Sequence, residues 1–247
     1  MSLDNHDMPS AATLPRSEDL FLDTAGQRLA MTRIHAPDGA APDVVHLHGF
    51  GATASRHGVR YLLDDLAAHG NSSLTFEFSG NGDSTGVLEE ATLRQRRQES
   101  LAVARLLDRD RRPVLIGTSM GGHLAAWTVP ELRPRALALF CPAAYPDSEA
   151  DVAFGQERAR PGPYTDSPAF AGLRDFDGDL LLIAGTHDQV VPASVIDAYL
   201  SHSVKARSRK VIRLDCDHLI HRWLPDRAEP RREVLGALRA LVTESLR

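Results

Sequence analysis

Cysteine is nearly absent from this 247-residue chain: there are 2, Cys141 and Cys216, spaced neither as a disulfide framework nor as a metal-ligand motif. A chain well above about 80 residues can bury a sufficient apolar core without such staples. Lysine is equally scarce. Of the 28 basic residues only Lys205 and Lys210 are lysine, and the arginines are spread along the chain instead of forming a stripe. With 33 acidic against 28 basic residues the formal net charge is −5, which excludes an electrostatic footprint for nucleic acid. Long hydrophobic runs are missing too. No stretch approaches the ~20 apolar residues that span a bilayer, and the opening residues 1–7 lack the basic and apolar parts of a secretion signal. The expectation is a cytoplasmic protein with neither a nucleic-acid nor a membrane partner. Composition leaves the oligomeric state open, a homodimer included.

What is present is an alternation of short apolar runs and amphipathic stretches. Residues 1–19 are polar, carry Pro9 and Pro15 and show no period, so they are expected to form a flexible arm. A hairpin follows, Leu20–Leu22 and Arg28–Ile34, then strands at 44–47, 74–78, 113–117, 136–141, 180–184 and 211–214. Between them lie helical patterns at 56–69, 92–107, 120–127, 192–200 and 233–246. This order predicts an α/β fold: a mostly parallel, twisted sheet of about eight strands with helices on both faces. One domain over 20–247 accommodates it. The stretch at about 146–179, with Pro146, Pro161, Pro163 and Pro168, breaks the rhythm and is expected to be a short cap or flap. The arginine-rich face from Arg94 to Arg111 is expected to be solvated, and Asp83 to brace the glycine-rich loop 79–86 through its own backbone.

Gly117-Thr118-Ser119-Met120-Gly121 fits G-x-S-x-G between a strand and a helix, the context a nucleophile elbow requires. A serine hydroxyl needs a base to attack at neutral pH. His218 stands just past the last strand, and Asp188 just past the strand at 180–184. Ser119, Asp188 and His218 occur in the chain order expected for such a sheet, each at a carboxyl end of a strand. Asp147 is the alternative acid. His221, His187 and His123 are rivals to His218, and His48 is assigned to holding its loop in shape. Asp215 and Asp217 are read as solvated or turn-forming. Tyr145, Phe154, Tyr164 and Phe170 in the flap are candidates for lining a substrate pocket, with local packing as the competing reading.

These features, with His48-Gly49-Phe50-Gly51, the loop 79–86, Gly185–Pro192 and Asp217-His218, give the chain a resemblance to the α/β-hydrolase superfamily over about residues 20–245. The short cap and the His-Gly-Phe element look most like small carboxylesterases of the cinnamoyl-esterase type. The resemblance implies Ser119 as nucleophile, His218 as base and then acid, Asp188 as its orienting group, and an oxyanion hole from the backbone N–H groups of Phe50 and Met120. It implies neither metal nor organic cofactor. The expected function is hydrolysis of a small-molecule carboxylic ester or acyl thioester. The alternatives are acyl transfer or cyclisation with the same residues and, in another class, a non-catalytic ligand-binding protein on this fold.

Overall fold

The computed structural model describes residues 15–244. The hairpin β1 (Ser17–Thr24) and β2 (Gln27–Ile34) is followed by β3 (Val44–Leu47), α1 (Arg60–Ala68), β4 (Ser73–Phe76) and α2 (Leu93–Ala104). Then come β5 (Val114–Thr118), α3 (Met120–Trp127), α4 (Val129–Leu132), β6 (Ala136–Phe140) and α5 (Pro168–Leu173). The chain closes with β7 (Asp179–Gly185), α6 (Ala193–His202), β8 (Ser208–Leu214), α7 (Ile220–Trp223) and α8 (Ala228–Glu244). One eight-stranded sheet runs in the order β1-β2-β4-β3-β5-β6-β7-β8, antiparallel at β1-β2 and β2-β4 and parallel elsewhere. No helix among the described residues is long and apolar enough to cross a membrane.

Alternation along each strand divides the core into two. Leu115, Leu137, Leu139, Leu180 and Leu182 pack under α2, α3, α5 and α6. Val114, Ile116, Ala138, Phe140, Leu181 and Ile183 pack against α1 and α8 on the opposite face. Because both faces are covered, the central strands read as unbroken apolar runs.

Several expectations need correction. Residues 17–19, expected in the arm, open β1 and pair with Ile34, Arg33 and Thr32, because a cross-strand partner supplies the order that local sequence does not. Residues 1–14 of that arm lie outside the described residues. Helix α1 starts at Arg60, not 56, and β4 ends at Phe76, not 78. The arginine-rich face is not wholly solvated: Arg96 of α2 is fully buried, beside the equally buried Glu99. Its guanidinium donates to Ser79 Oγ at 3.2 Å and to Asn81 Oδ1 at 3.5 Å, beneath the loop 79–86. That loop is not braced by Asp83. The Glu77 carboxylate accepts the Asp83 N–H at 2.9 Å, and the Asp83 carboxylate turns to Arg56 at 2.9 Å.

Candidate active site

The strand-to-helix turn at Ser119 is a steric construction. Ser119 has φ +51° and ψ −114°, a costly region for a residue with a side chain. Four backbone bonds hold it there: Ser119 N–H to Phe140 O at 2.9 Å, and the N–H groups of Gly122, His123 and Ala143 to Ser119 O at 2.9, 3.3 and 3.0 Å. The flanking glycines are needed for close approach. A Cβ on Gly121 would sit 2.0 Å from Leu47 O, and one on Gly117 would sit 2.5 Å from Gly121 O. Serine commonly caps a helix with its hydroxyl, but this side chain makes no cap bond at α3 and remains available for another partner.

That partner is His218. Ser119 Oγ lies 3.0 Å from His218 Nε2, and His218 Nδ1 lies 2.7 Å from Asp188 Oδ2. Asp188 follows β7, and its Oδ1 accepts the N–H groups of Val190 and Val191, both at 2.8 Å, leaving Oδ2 for the imidazole. Burial alone would raise this carboxyl. The bonds from His218 and from Val191 and Val190 outweigh it and hold the group below the ordinary carboxylate range. His218 reaches this position because Gly185, at the end of β7, lets the backbone of 216–217 pass close; a Cβ there would meet Asp217 O at 2.5 Å.

The other acids are elsewhere. Asp147 is exposed in a 3-10 turn at Asp147–Glu149. Asp215 pairs with His187 at 2.7 Å, both exposed, and Asp217 accepts the Leu219 N–H at 2.8 Å. Cys141 lies close to Asp188 and His218, its sulfur and their ligand atoms falling within 4.8 Å of one another. Burial pushes this thiol far up, and it donates to His218 O at 3.4 Å, while His218 Nδ1–H donates to the Asp188 carboxylate.

His48 is set by its surroundings. Phe78 N–H donates to Nε2 at 3.0 Å, so the ring proton is on Nδ1, which donates to Gly49 O at 2.7 Å. Burial, with Arg96 pushing the same way, lowers its pKa to about 4, so it is neutral at pH 7. In a trans peptide the N–H points opposite to the C=O, so this bond also sets the direction of the Phe50 N–H. Asn81 Nδ2 donates to Gly51 O at 2.9 Å and holds the same loop. Among the described residues no protein group accepts from the N–H of Phe50 or of Met120.

A cavity of about 210 Å³ opens beside Ser119, between the loop 49–59 and the turn 218–222. None of the four flap aromatics lines it. Phe170 is fully buried between Tyr199 and His202, because α5 packs on α3 and α6 and belongs to the core. Tyr145 covers the buried His123, Phe154 packs edge-on to Phe50 at 5.0 Å, and Tyr164 donates to Arg160 O at 3.0 Å. The wall is instead His46, Thr118 and His221, of which only His221 drew attention in the sequence, as a rival base. Burial lowers His221 to about 4 and His46 well below its usual value.

An elbow serine hydrogen-bonded to a histidine that is hydrogen-bonded to an aspartate, at the carboxyl ends of a parallel sheet, defines the class of α/β-hydrolase proteins. The chain belongs to the Alpha/beta hydrolase family, whose pattern it matches over residues 44–240. No match was found among curated protein sequences. Among solved structures the chain is similar to the esterase Pf2001 of Pyrococcus furiosus, with a TM-score of 0.70, 17% identity and 93% of each chain covered. It is similar to Est1E of Butyrivibrio proteoclasticus with ferulic acid bound, with a TM-score of 0.69, 17% identity, and 92% of this chain and 99% of the other covered. The thioesterase domain of the curacin biosynthetic pathway aligns with a TM-score of 0.66 at 15% identity, covering 92% of this chain and 99% of that one. At such identities these likenesses establish the fold alone.

Proposed function

We propose that the protein is a serine hydrolase that cleaves carboxylic esters, or acyl thioesters, through an acyl-enzyme on Ser119. The observation that carries this reading is the 3.0 Å contact of Ser119 Oγ with His218 Nε2, backed by the 2.7 Å bond between His218 Nδ1 and Asp188. His218 takes the hydroxyl proton as Oγ attacks the carbonyl carbon, while Asp188 keeps the other ring proton on Nδ1. The carbonyl oxygen becomes an oxyanion, which accepts hydrogen bonds from the Phe50 and Met120 N–H groups; one such donor is typically worth about 10²–10³ in rate. Collapse breaks the bond to the leaving group, which departs with the proton from His218. Water, deprotonated by His218, then attacks the acyl-enzyme and releases the acid. Esterases and a thioesterase among the structural neighbours support this substrate class.

Turnover of aryl esters by the wild type and by Ser119→Ala tests the reading. The variant is expected to lose about 10⁴-fold or more in kcat, and to lose labelling by a fluorophosphonate probe. Ester turnover that survives in Ser119→Ala overturns it, and an unlabelled wild type points to a non-catalytic binding protein.

A further inference from the structure

The cavity beside Ser119 has three chemically distinct parts. The first is the reactive pair, Ser119 and His218. The second is a polar wall whose hydrogen-bonding capacity is already used, and the direction of every bond in it follows from one carbonyl. Thr75 O–H donates to Arg56 O at 3.2 Å, which spends its only proton. Thr75 Oγ1 therefore accepts from His46 Nδ1 at 3.4 Å, and neutral His46 must accept at Nε2 from Thr118 O–H at 3.1 Å. Thr118 Oγ1 in turn accepts from His221 Nε2 at 2.8 Å, and His221 Nδ1 accepts from Tyr61 O–H at 3.0 Å. The two histidines are thus neutral, with one ring proton each committed to a threonine. They offer a substrate neither charge nor a free donor.

The third part is the exposed rim. Arg222 lies there beside Phe50, Thr53 and Leu219. Its guanidinium makes one long bond, 3.5 Å to Thr53 Oγ1, and no ion pair with any carboxylate among the described residues. Of five N–H donors, four are unspent. The cavity's 210 Å³ exceeds the ~150 Å³ that admits benzene elsewhere.

We infer that this cavity selects esters bearing a carboxylate at the far end of an uncharged, ring-sized group, with Arg222 as the residue that reads the carboxylate. The inference rests on the hydrolase reading of Ser119. An uncharged ring meets the spent wall without stranding a polar group of either partner, while the carboxylate meets the one cation left unpaired at the mouth.

Two isosteric pairs test it, one for each side of the scissile bond: 4-carboxyphenyl acetate against 4-carbamoylphenyl acetate, and 4-nitrophenyl 4-carboxybenzoate against its 4-carbamoyl analogue. In the pair whose ring enters the cavity, kcat/KM is expected to favour the carboxylate by about five- to tenfold at low salt and less at high salt. Arg222→Gln should bring this ratio close to one, and Arg222→Lys should keep most of it. A wild-type ratio near one in both pairs, or a ratio that survives Arg222→Gln, overturns the inference. Failure of the hydrolase reading has a different signature, in which none of the four esters responds to Ser119→Ala. Titration of the Ser119→Ala protein with the same pairs gives a readout free of chemistry. Equal affinity for acid and amide in both pairs overturns the inference by itself.

Discussion

On one flank of Ser119, the loop 49–59 and the turn 218–222 enclose a cavity walled by His46, Thr118 and His221. On the other, the segment 145–170 packs Tyr145 against His123 of α3 and Phe170 against Tyr199 of α6, with Phe154 edge-on to Phe50 and Arg158 over the rings of Tyr145 and Phe154. By residue type the expectation runs the other way, since aromatic rings suit a ligand wall and buried histidines suit catalysis. The difference lies in partners. A histidine whose two nitrogens are satisfied and whose charge is suppressed behaves as an inert wall. An aromatic ring beside an unfilled core space is drawn into it.

The contrast can be broken at several points. The largest effect is expected at the reactive pair: Asp188→Asn should keep the fold and lower kcat for esters by about 10⁴-fold, because the imidazole would be held in the wrong tautomer. Retained activity would show that Asp188 does not orient His218. Next, Phe170→Ala on the packed flank should cost about 3–5 kcal/mol in chemical denaturation, with KM for a small ester unchanged. A raised KM with intact stability would return Phe170 to the pocket.

Acid should loosen the histidine-walled flank. His48 and His221 are lowered to about 4 and His46 well below its usual value, against 6.5 in the unfolded chain. Below 6.5 the unfolded chain takes up protons that the fold refuses. Stability present above pH 6.5 is therefore lost as pH falls toward 4, by about 1.4 kcal/mol per pH unit for each such histidine. Thermal melts between pH 7.5 and 4.5 check this, and a flat Tm would show the rings to be less buried than described. The smallest effect is expected from filling the cavity. Ala54→Phe should raise KM for aryl esters by about tenfold, near the upper range for one misfit apolar group, with Tm nearly unchanged. An unaltered KM would place the substrate elsewhere.

Much of the architecture was legible in residue order. Helix α3 begins at Met120 and ends at Trp127, as the pattern predicts, because a segment apolar but for His123 and bounded by an elbow and Thr128 has little alternative. Strand β1 begins three residues before the apolar pattern does, since Glu18 and Asp19 have polar, exposed side chains and only pairing with β2 makes them a strand. Arg96 departs from its expectation for a related reason. Composition marks an arginine as solvated, and only the packing of α2 beneath the loop 79–86 supplies its buried partners.

The sequence by itself determined the covered parallel sheet, through apolar runs too continuous to be half-exposed, and the elbow, through glycines where a Cβ would strike backbone. It also determined the order serine, acid, histidine, which follows from which strand ends carry those residues. Only the tertiary structure decided which flank holds the cavity and that its histidines are neutral. The reason is distance along the chain. Thr118 meets His221 across 103 residues, and His221 meets Tyr61 across 160. Such contacts leave no local periodicity, so the roles they confer exist only once the sheet has brought them together.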